Sequence, residues 1–258
     1  MIARIVQKRS ITADLFVLRI EAPSISIAAQ AGQFVNVLPR IGSIDPLLRR
    51  PFSIYQRGDS WIEIIIQIHG KGTAELATHN EGDEVDLIGP LGQPWNINSG
   101  NYKTAILVVG GVGVASMPSL TQVLLDTTIP FATYYGARTK ALFADEYLKH
   151  IEYATDDGSA GYKGTVIELL RQHLAEERYQ LPKLFVCGPN GMMRAAAALA
   201  EEFDIPCEVS LETEMACGVG ICQGCPVQTT EAEKIASGKS FHLVCTHGPS
   251  FEREQIIF

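Results

Sequence analysis

The chain has 258 residues, 46% hydrophobic and 19% charged, with a net charge of −8, the profile of a globular protein large enough for more than one core. The acidic balance and the lack of any clustered basic stretch exclude recognition through phosphate backbones, so no nucleic-acid partner is expected. No stretch reaches the ~20 apolar residues of a membrane span, and the opening MIARIVQKRSIT has no apolar leader segment, so no membrane partner and a cytoplasmic setting are expected.

Residues 1 to 98 read as short strands broken by turns. Strands are predicted over Ile2 to Val6, Leu15 to Ile20, Phe34 to Leu38 and the β-branched run Trp61 to Ile68, with one helical turn near Thr73 to His79. Such spacing, punctuated by Gly32, Gly58, Gly82, Gly89 and Pro90, suggests a small antiparallel barrel. From Lys103 the pattern becomes strand and helix in alternation. Strands are expected at Thr104 to Val109, Phe131 to Tyr135, Tyr153 to Thr155 and Leu184 to Cys187. Helices are expected at Met117 to Leu125, Ala141 to Lys149, Val166 to Glu177 and Gly191 to Glu202. That alternation implies a parallel, doubly wound sheet over residues 99 to 210. Residues 211 to 258 show glycines and cysteines with little periodicity and read as a small third domain.

Four motifs carry chemistry. Arg50-Pro51-Phe52-Ser53 opens a strand, where a guanidinium can pair a diphosphate bidentately and a hydroxyl can reach a flat ring. Taken alone, the string also fits an exposed arginine beside a core phenylalanine. Gly72-Thr73 begins a helical turn and offers an anion site. Gly110, Gly111 and Gly113 follow a buried strand and open a helix, so their backbone can approach a pyrophosphate, although a ligand-free tight turn has the same signature.

The fourth motif is the cysteine set Cys217, Cys222, Cys225 and Cys245, spaced C-x4-C-x2-C-x19-C. Three thiolates in one glycine-rich loop with a fourth standing apart is the pattern of a plant-type [2Fe–2S] ligand loop. Zinc stays open as a second reading, although structural zinc sites usually use two short-spaced pairs. A disulfide framework fits a chain of this size poorly. Of the other two cysteines, Cys187 at a strand end reads either as a small hydrophobe or as a site residue, and Cys207 reads as structural.

Taken in order, RPFSI (50–54), GKGT (70–73), GPLG (89–92), GGVGVA (110–115), YGAR (135–138), TDDGSAGYKG (155–164) and CGPNGMM (187–193) resemble the ferredoxin–NADP reductase superfamily. With SLETEMACGVGICQGCPV and HLVCTHGPSF appended, the chain resembles more narrowly the electron-transfer subunits of heteromeric, NAD-dependent dihydroorotate dehydrogenases. The resemblance covers essentially the whole chain. It implies an FAD-binding barrel, an NAD-binding α/β domain and a C-terminal [2Fe–2S] domain. The implied partner is an FMN-containing dihydroorotate dehydrogenase catalytic subunit in a heterotetramer.

By the same resemblance Arg50 holds the FAD pyrophosphate, with Pro51, Phe52 and Ser53 beside the ring. Ile65, Ile66 and Gln67 contact FAD, and Gly72 and Thr73 bind its phosphate. Gly110, Gly111 and Gly113 cradle the nicotinamide dinucleotide, Thr155 to Ser159 lie near its adenosine half, and Cys187 and Gly188 border the nicotinamide. No side chain is expected to act as a general acid or base; positioning does the work. Two departures stand out: Phe52 occupies a place where many members carry tyrosine, and the charged run TTEAEKIASGKS before Cys245 is long, which suggests a solvated excursion. That insert keeps a second class of partner in view, a hydrogenase, sulfide dehydrogenase or ferredoxin:NADP complex. Arg138 leaves the choice between NAD and NADP open.

Overall fold

The computed structural model describes all 258 residues. Its first part contains β1 (Ile2–Ser10), β2 (Leu15–Glu21), α1 (Pro23–Ala28), β3 (Phe34–Leu38), β4 (Arg50–Ser53), β5 (Gln56–Arg57), β6 (Trp61–Gln67), α2 (Lys71–Thr78) and β7 (Glu84–Leu91). The strands run in the order β4-β3-β7-β1-β2-β6-β5, and every pairing is antiparallel. Side chains alternate across the strands. Val35 and Val37 of β3, Leu18 and Ile20 of β2, and Ile62, Ile64 and Ile66 of β6 fill one apolar core. Phe34 of β3 belongs to a different core and packs with residues from the far end of the chain.

The second part is a parallel sheet with helices on both faces. It begins with β8 (Thr104–Gly110), a 3-10 turn over Gly111–Ser116, α3 (Met117–Leu125), β9 (Phe131–Ala137), β10 (Ile151–Thr155) and β11 (Tyr162–Lys163). It continues through α4 (Val166–Ala175), β12 (Pro182–Cys187), α5 (Asn190–Glu202) and β13 (Cys207–Ser210). The central strand β8 is buried along its whole length, which is why it reads as an unbroken apolar run. Ile106 and Val108 face α4 and α5, whereas Ala105, Leu107 and Val109 face α3.

The remainder adds β14 (Pro226–Thr229), α6 (Glu231–Ser237), β15 (Phe241–Leu243), α7 (Val244–His247), β16 (Ser250–Glu252) and β17 (Ile256–Ile257). Strands β15, β14 and β17 form a small antiparallel sheet, so this segment is more regular than its weak periodicity suggested. The charged run is helix α6, started by the Thr230 side chain accepting from Glu233 N–H and ended by Gly238 in the left-handed region. Strand β16 leaves the small sheet and pairs antiparallel with β13, completing the larger sheet in the order β11-β10-β9-β8-β12-β13-β16.

One expected helix is absent. Residues 141 to 149 form only the end of a 3-10 turn (Lys140–Leu142) and then irregular backbone. Aromatic anchors hold that stretch. Phe143 packs edge-on against Tyr135 at 4.7 Å, and Ala144 N–H donates to the Tyr135 hydroxyl at 3.3 Å. Tertiary contacts override a helical pattern here. No helix is long and apolar enough to cross a membrane.

A buried ionic cluster joins the parts. Lys183 of β12 is fully buried; its Nζ lies 3.2 Å from Glu208 Oε2 and 3.0 Å from Glu252 Oε1. It also donates to the Asn96 carbonyl at 3.0 Å, while Glu208 accepts from Asn96 N–H at 3.0 Å. Burial pushes the Glu208 carboxyl above the usual carboxylate range, and Lys183 works against that shift. Replacing the lysine strands the buried Glu208 carboxyl and leaves the partly exposed Glu252 without its cation, a change worth about 3–5 kcal/mol. Lys183→Met is therefore expected to lose about that much stability in a urea titration; a loss below ~1 kcal/mol would show that solvent already satisfies the cluster.

Candidate functional site

In the second sheet, β9 lies on one side of the first strand β8 and β12 on the other, so the chain reverses direction across the sheet between β8 and β12. Loops leaving the carboxyl ends of those strands splay apart there and make a crevice. Gly113 sits so close to the end of β12 that a Cβ would collide with the Cys187 carbonyl, so only glycine allows the turn to close. Two cavities open at this point, of about 530 Å³ and about 470 Å³.

The larger cavity is lined by Gly110, Gly111, Gly113 and Gly188 of the strand ends, with Arg138, Asp156 and Thr165 farther along. Its walls combine backbone and polar groups with Leu15, Val166 and Met192 beside a turn that opens into α3, suited to a nucleotide with its diphosphate at the turn. The second cavity is lined by Pro51, Phe52, Ser53, Ile65 and Cys187 together with Phe34 and Leu211. An apolar slot with a hydroxyl and a few backbone groups suits a flat heteroaromatic ring. Gln67, Val112 and Glu212 line both cavities.

The expected residues thus divide into groups. Ser53 and its neighbours reach the smaller cavity because β4 pairs with β3, Ser53 opposite Phe34 and Phe52 opposite Val35. Ile65 and Gln67 line it, whereas the Ile66 side chain points into the barrel core and can offer only its backbone. Arg50, Gly72 and Thr73 lie outside both cavities, beside one another. A Cβ on Gly72 would stand 2.7 Å from Arg50 Nε. Arg50 Nη1 donates to the carbonyls of Leu48 at 2.6 Å and Arg49 at 3.3 Å, which aims the guanidinium at the first turn of α2. That turn holds no acidic residue, so its free N–H groups and the arginine make a corner that could hold an anion. The Thr73 hydroxyl is already occupied, accepting from His69 N–H at 2.8 Å and Gly70 N–H at 3.1 Å.

Cys187 lies at the floor of the smaller cavity. Burial first, and Glu212 second, push its thiol up to about 12, against hydrogen bonds to Ser116 and Ser210. It is a neutral, weakly polar surface there. Glu212 was not singled out by sequence; nothing marks one glutamate among several ahead of a cysteine loop. Its side chain meets solvent in the cavities, yet protein surrounds the carboxyl on most sides, and that burial alone raises its pKa.

The four cysteines of the loop motif come together in pairs. Cys217 Sγ accepts N–H bonds from Val219 and Cys222, each at 3.4 Å, and Cys222 Sγ accepts from Gly224 N–H at 3.4 Å. The Cys222 N–H, followed by that of Val219, lowers the Cys217 thiol to about 6. Burial, and then the adjoining Cys225 thiol, lift Cys245 to about 11. Cys225 and Cys245 are buried and Cys222 is exposed. No three metal-capable side chains converge where a single ion would sit, but two neighbouring thiol pairs suit a two-metal cluster with two thiolates on each metal. Gln223, in the left-handed region, ties the loop shut through its side-chain amide, which donates to the Gly220 carbonyl at 2.7 Å.

Residues 212–257 match the model of the iron-sulfur cluster binding domain of dihydroorotate dehydrogenase B. The dihydroorotate dehydrogenase B (NAD(+)) electron transfer subunit of Desulforamulus reducens is 35% identical, over 99% of this chain and 97% of that protein. A homolog of that subunit from Thermotoga maritima is 34% identical, over 98% of this chain and 86% of its own. Among solved structures, a chain of the NADH-dependent reduced ferredoxin-NADP oxidoreductase superposes with a TM-score of 0.87 at 31% identity, covering 99% of this chain and 89% of that one. The barrel, the crevice at the β8–β12 switch and the cysteine loop all lie within those matches, and the chain belongs to the family of dihydroorotate dehydrogenase B electron transfer subunits.

Proposed function

We propose that this chain passes electrons between a nicotinamide nucleotide and a partner flavoprotein that oxidises dihydroorotate, through FAD and a [2Fe–2S] cluster, as a cytoplasmic step of pyrimidine biosynthesis. One observation carries this reading: the candidate sites adjoin in a line. The nucleotide cavity and the ring cavity share Gln67, Val112 and Glu212, and Phe34 of the ring cavity packs in the same core as Cys225 and Cys245.

When bound, FAD supplies the exchange between hydride, which moves as an electron pair, and a cluster that takes electrons singly. The chain's own residues do the rest by placement. Arg50 and the first turn of α2 form the anion corner for a diphosphate, and Pro51 to Ser53 with Ile65 wall the ring. The glycine turn at Gly110 to Gly113 would bring its N–H groups to the other nucleotide. Cys187 would fill the floor as an uncharged contact, and Val112 and Gln67 stand between the two cavities. None of these groups needs to move a proton for electrons to pass, consistent with positioning as the catalytic device.

Purified protein is expected to carry one FAD and about two irons per chain, and to co-purify with a flavoprotein that forms orotate. A preparation with zinc and no visible absorbance would sink the reading. The likeness to the NADH-dependent reduced ferredoxin-NADP oxidoreductase supports a second reading, in which a large iron–sulfur partner replaces the dihydroorotate-oxidising one. The identity of the co-purified subunit decides between them.

Two variants probe individual residues. Cys245→Ser is expected to lose most of its iron while retaining FAD, measured by metal analysis and the flavin spectrum. Iron at the parental level would place the cluster elsewhere. Glu212 has a folded-state pKa raised above its unfolded value, so its contribution to stability is full below the unfolded value near ~4.3 and is lost as pH rises through the folded value. Glu212→Gln should therefore raise the melting temperature at pH 8 and leave it nearly unchanged at pH 4.5. An equal effect at both pH values would mean that ionisation of Glu212 is not the cause.

A further inference from the structure

Asn36 is an unusual residue for its place. It sits in the middle of β3, is fully buried, and lies among positions that favour β-branched side chains. A buried primary amide is costly unless its polar atoms are bonded. The only side-chain bond it makes is to the cysteine loop: Nδ2 donates to the Cys217 carbonyl at 3.1 Å, across 181 residues of sequence. The orientation is chemically fixed, because a carbonyl only accepts and the amide nitrogen must face it. Oδ1 is left with no partner, so the bond to the loop comes with a stranded acceptor.

Both sides of this contact are shaped for it. Gly218 follows Cys217 with φ +71°, and a Cβ there would collide with Asn36 Nδ2. On the other side, Asn36 pairs with Pro51, and its neighbour on the same strand face, Phe34, pairs with Ser53. Phe34 lines the ring cavity and belongs to the same core as Cys225 and Cys245. The outward face of β3 is therefore the wall between the ring cavity and the cysteine loop. Fixing the Cys217 carbonyl also fixes the peptide that starts the loop, and the same loop aims the N–H groups of Val219 and Cys222 at Cys217 Sγ. Donors to a cluster sulfur stabilise the extra negative charge of the reduced form and so raise the potential.

We propose that Asn36 is a positioning residue that docks the cysteine loop on the ring-cavity strand and thereby sets the reduction potential of the cluster. The inference rests on the cluster reading above. The iron content of the parent protein tests that reading separately, and a parent without two irons would remove both.

The test is an EPR-monitored redox titration of the purified complex carrying Asn36→Leu, which removes the donor without adding charge, alongside Asn36→Asp. With full iron and FAD, both variants are expected to show a more negative cluster midpoint and an unchanged flavin midpoint. The expected change is on the order of tenfold in the oxidised-to-reduced ratio at a fixed potential, which is ~59 mV for a one-electron couple. Loss of iron with FAD retained would support the docking role equally. A parental midpoint in the leucine variant with full iron would overturn the proposal, as would a shift confined to the aspartate variant. Loss of FAD together with iron would also overturn it, by showing that Asn36 supports the fold as a whole rather than the loop in particular.

Discussion

Three residues from three parts of the chain form the partition on which the rest of the structure depends. Gln67 ends a barrel strand, Val112 belongs to the glycine turn of the parallel sheet, and Glu212 starts the run into the cysteine loop. Each lines both cavities. A partition assembled in this way exists only while barrel, sheet and loop hold one relation to one another. The fold invests accordingly in contacts that cross between parts: Lys183 gathers Asn96, Glu208 and Glu252, and Asn36 reaches Cys217.

Those crossing contacts are polar, and that choice has a physical logic. Apolar surfaces slide at little cost, because hydrophobic attraction is non-directional. A buried lysine with two carboxylates and a backbone carbonyl is satisfied in one geometry only, and leaving a member unpaired is expensive. The edge strand β16 extends the same principle by lending a ladder from the C-terminal segment to the parallel sheet. Electron transfer gains from such rigidity, since its work here is placement rather than proton chemistry.

Much of this was legible in the sequence, for identifiable reasons. The apolar run of β8 reports burial on both faces, and the glycine turn after it reports a close backbone approach; both are local signals. The cysteine spacing marks the loop itself, but not that Cys245 returns to pair with Cys225. What escaped were features set by distant partners. The stretch at 141 to 149 has helical periodicity but is captured by Tyr135 and Tyr153. The Ile66 side chain sits on the wrong side of β6 for the ring cavity, a matter of register that proximity in sequence cannot show. Glu212 and Asn36 lie in strings without a motif, and only the assembled fold reveals what they face.

If nucleotide, ring and cluster sites form one uninterrupted line within this chain, electrons from NADH reach the cluster without a partner. Anaerobic addition of NADH to the purified protein, followed by flavin absorbance and by EPR of the same sample, tests it most directly. Bleaching of the flavin and then growth of a reduced-cluster signal, both within the isolated subunit, is the expected result. Flavin bleaching with the cluster remaining oxidised, at a potential where it should accept an electron, would contradict the claim.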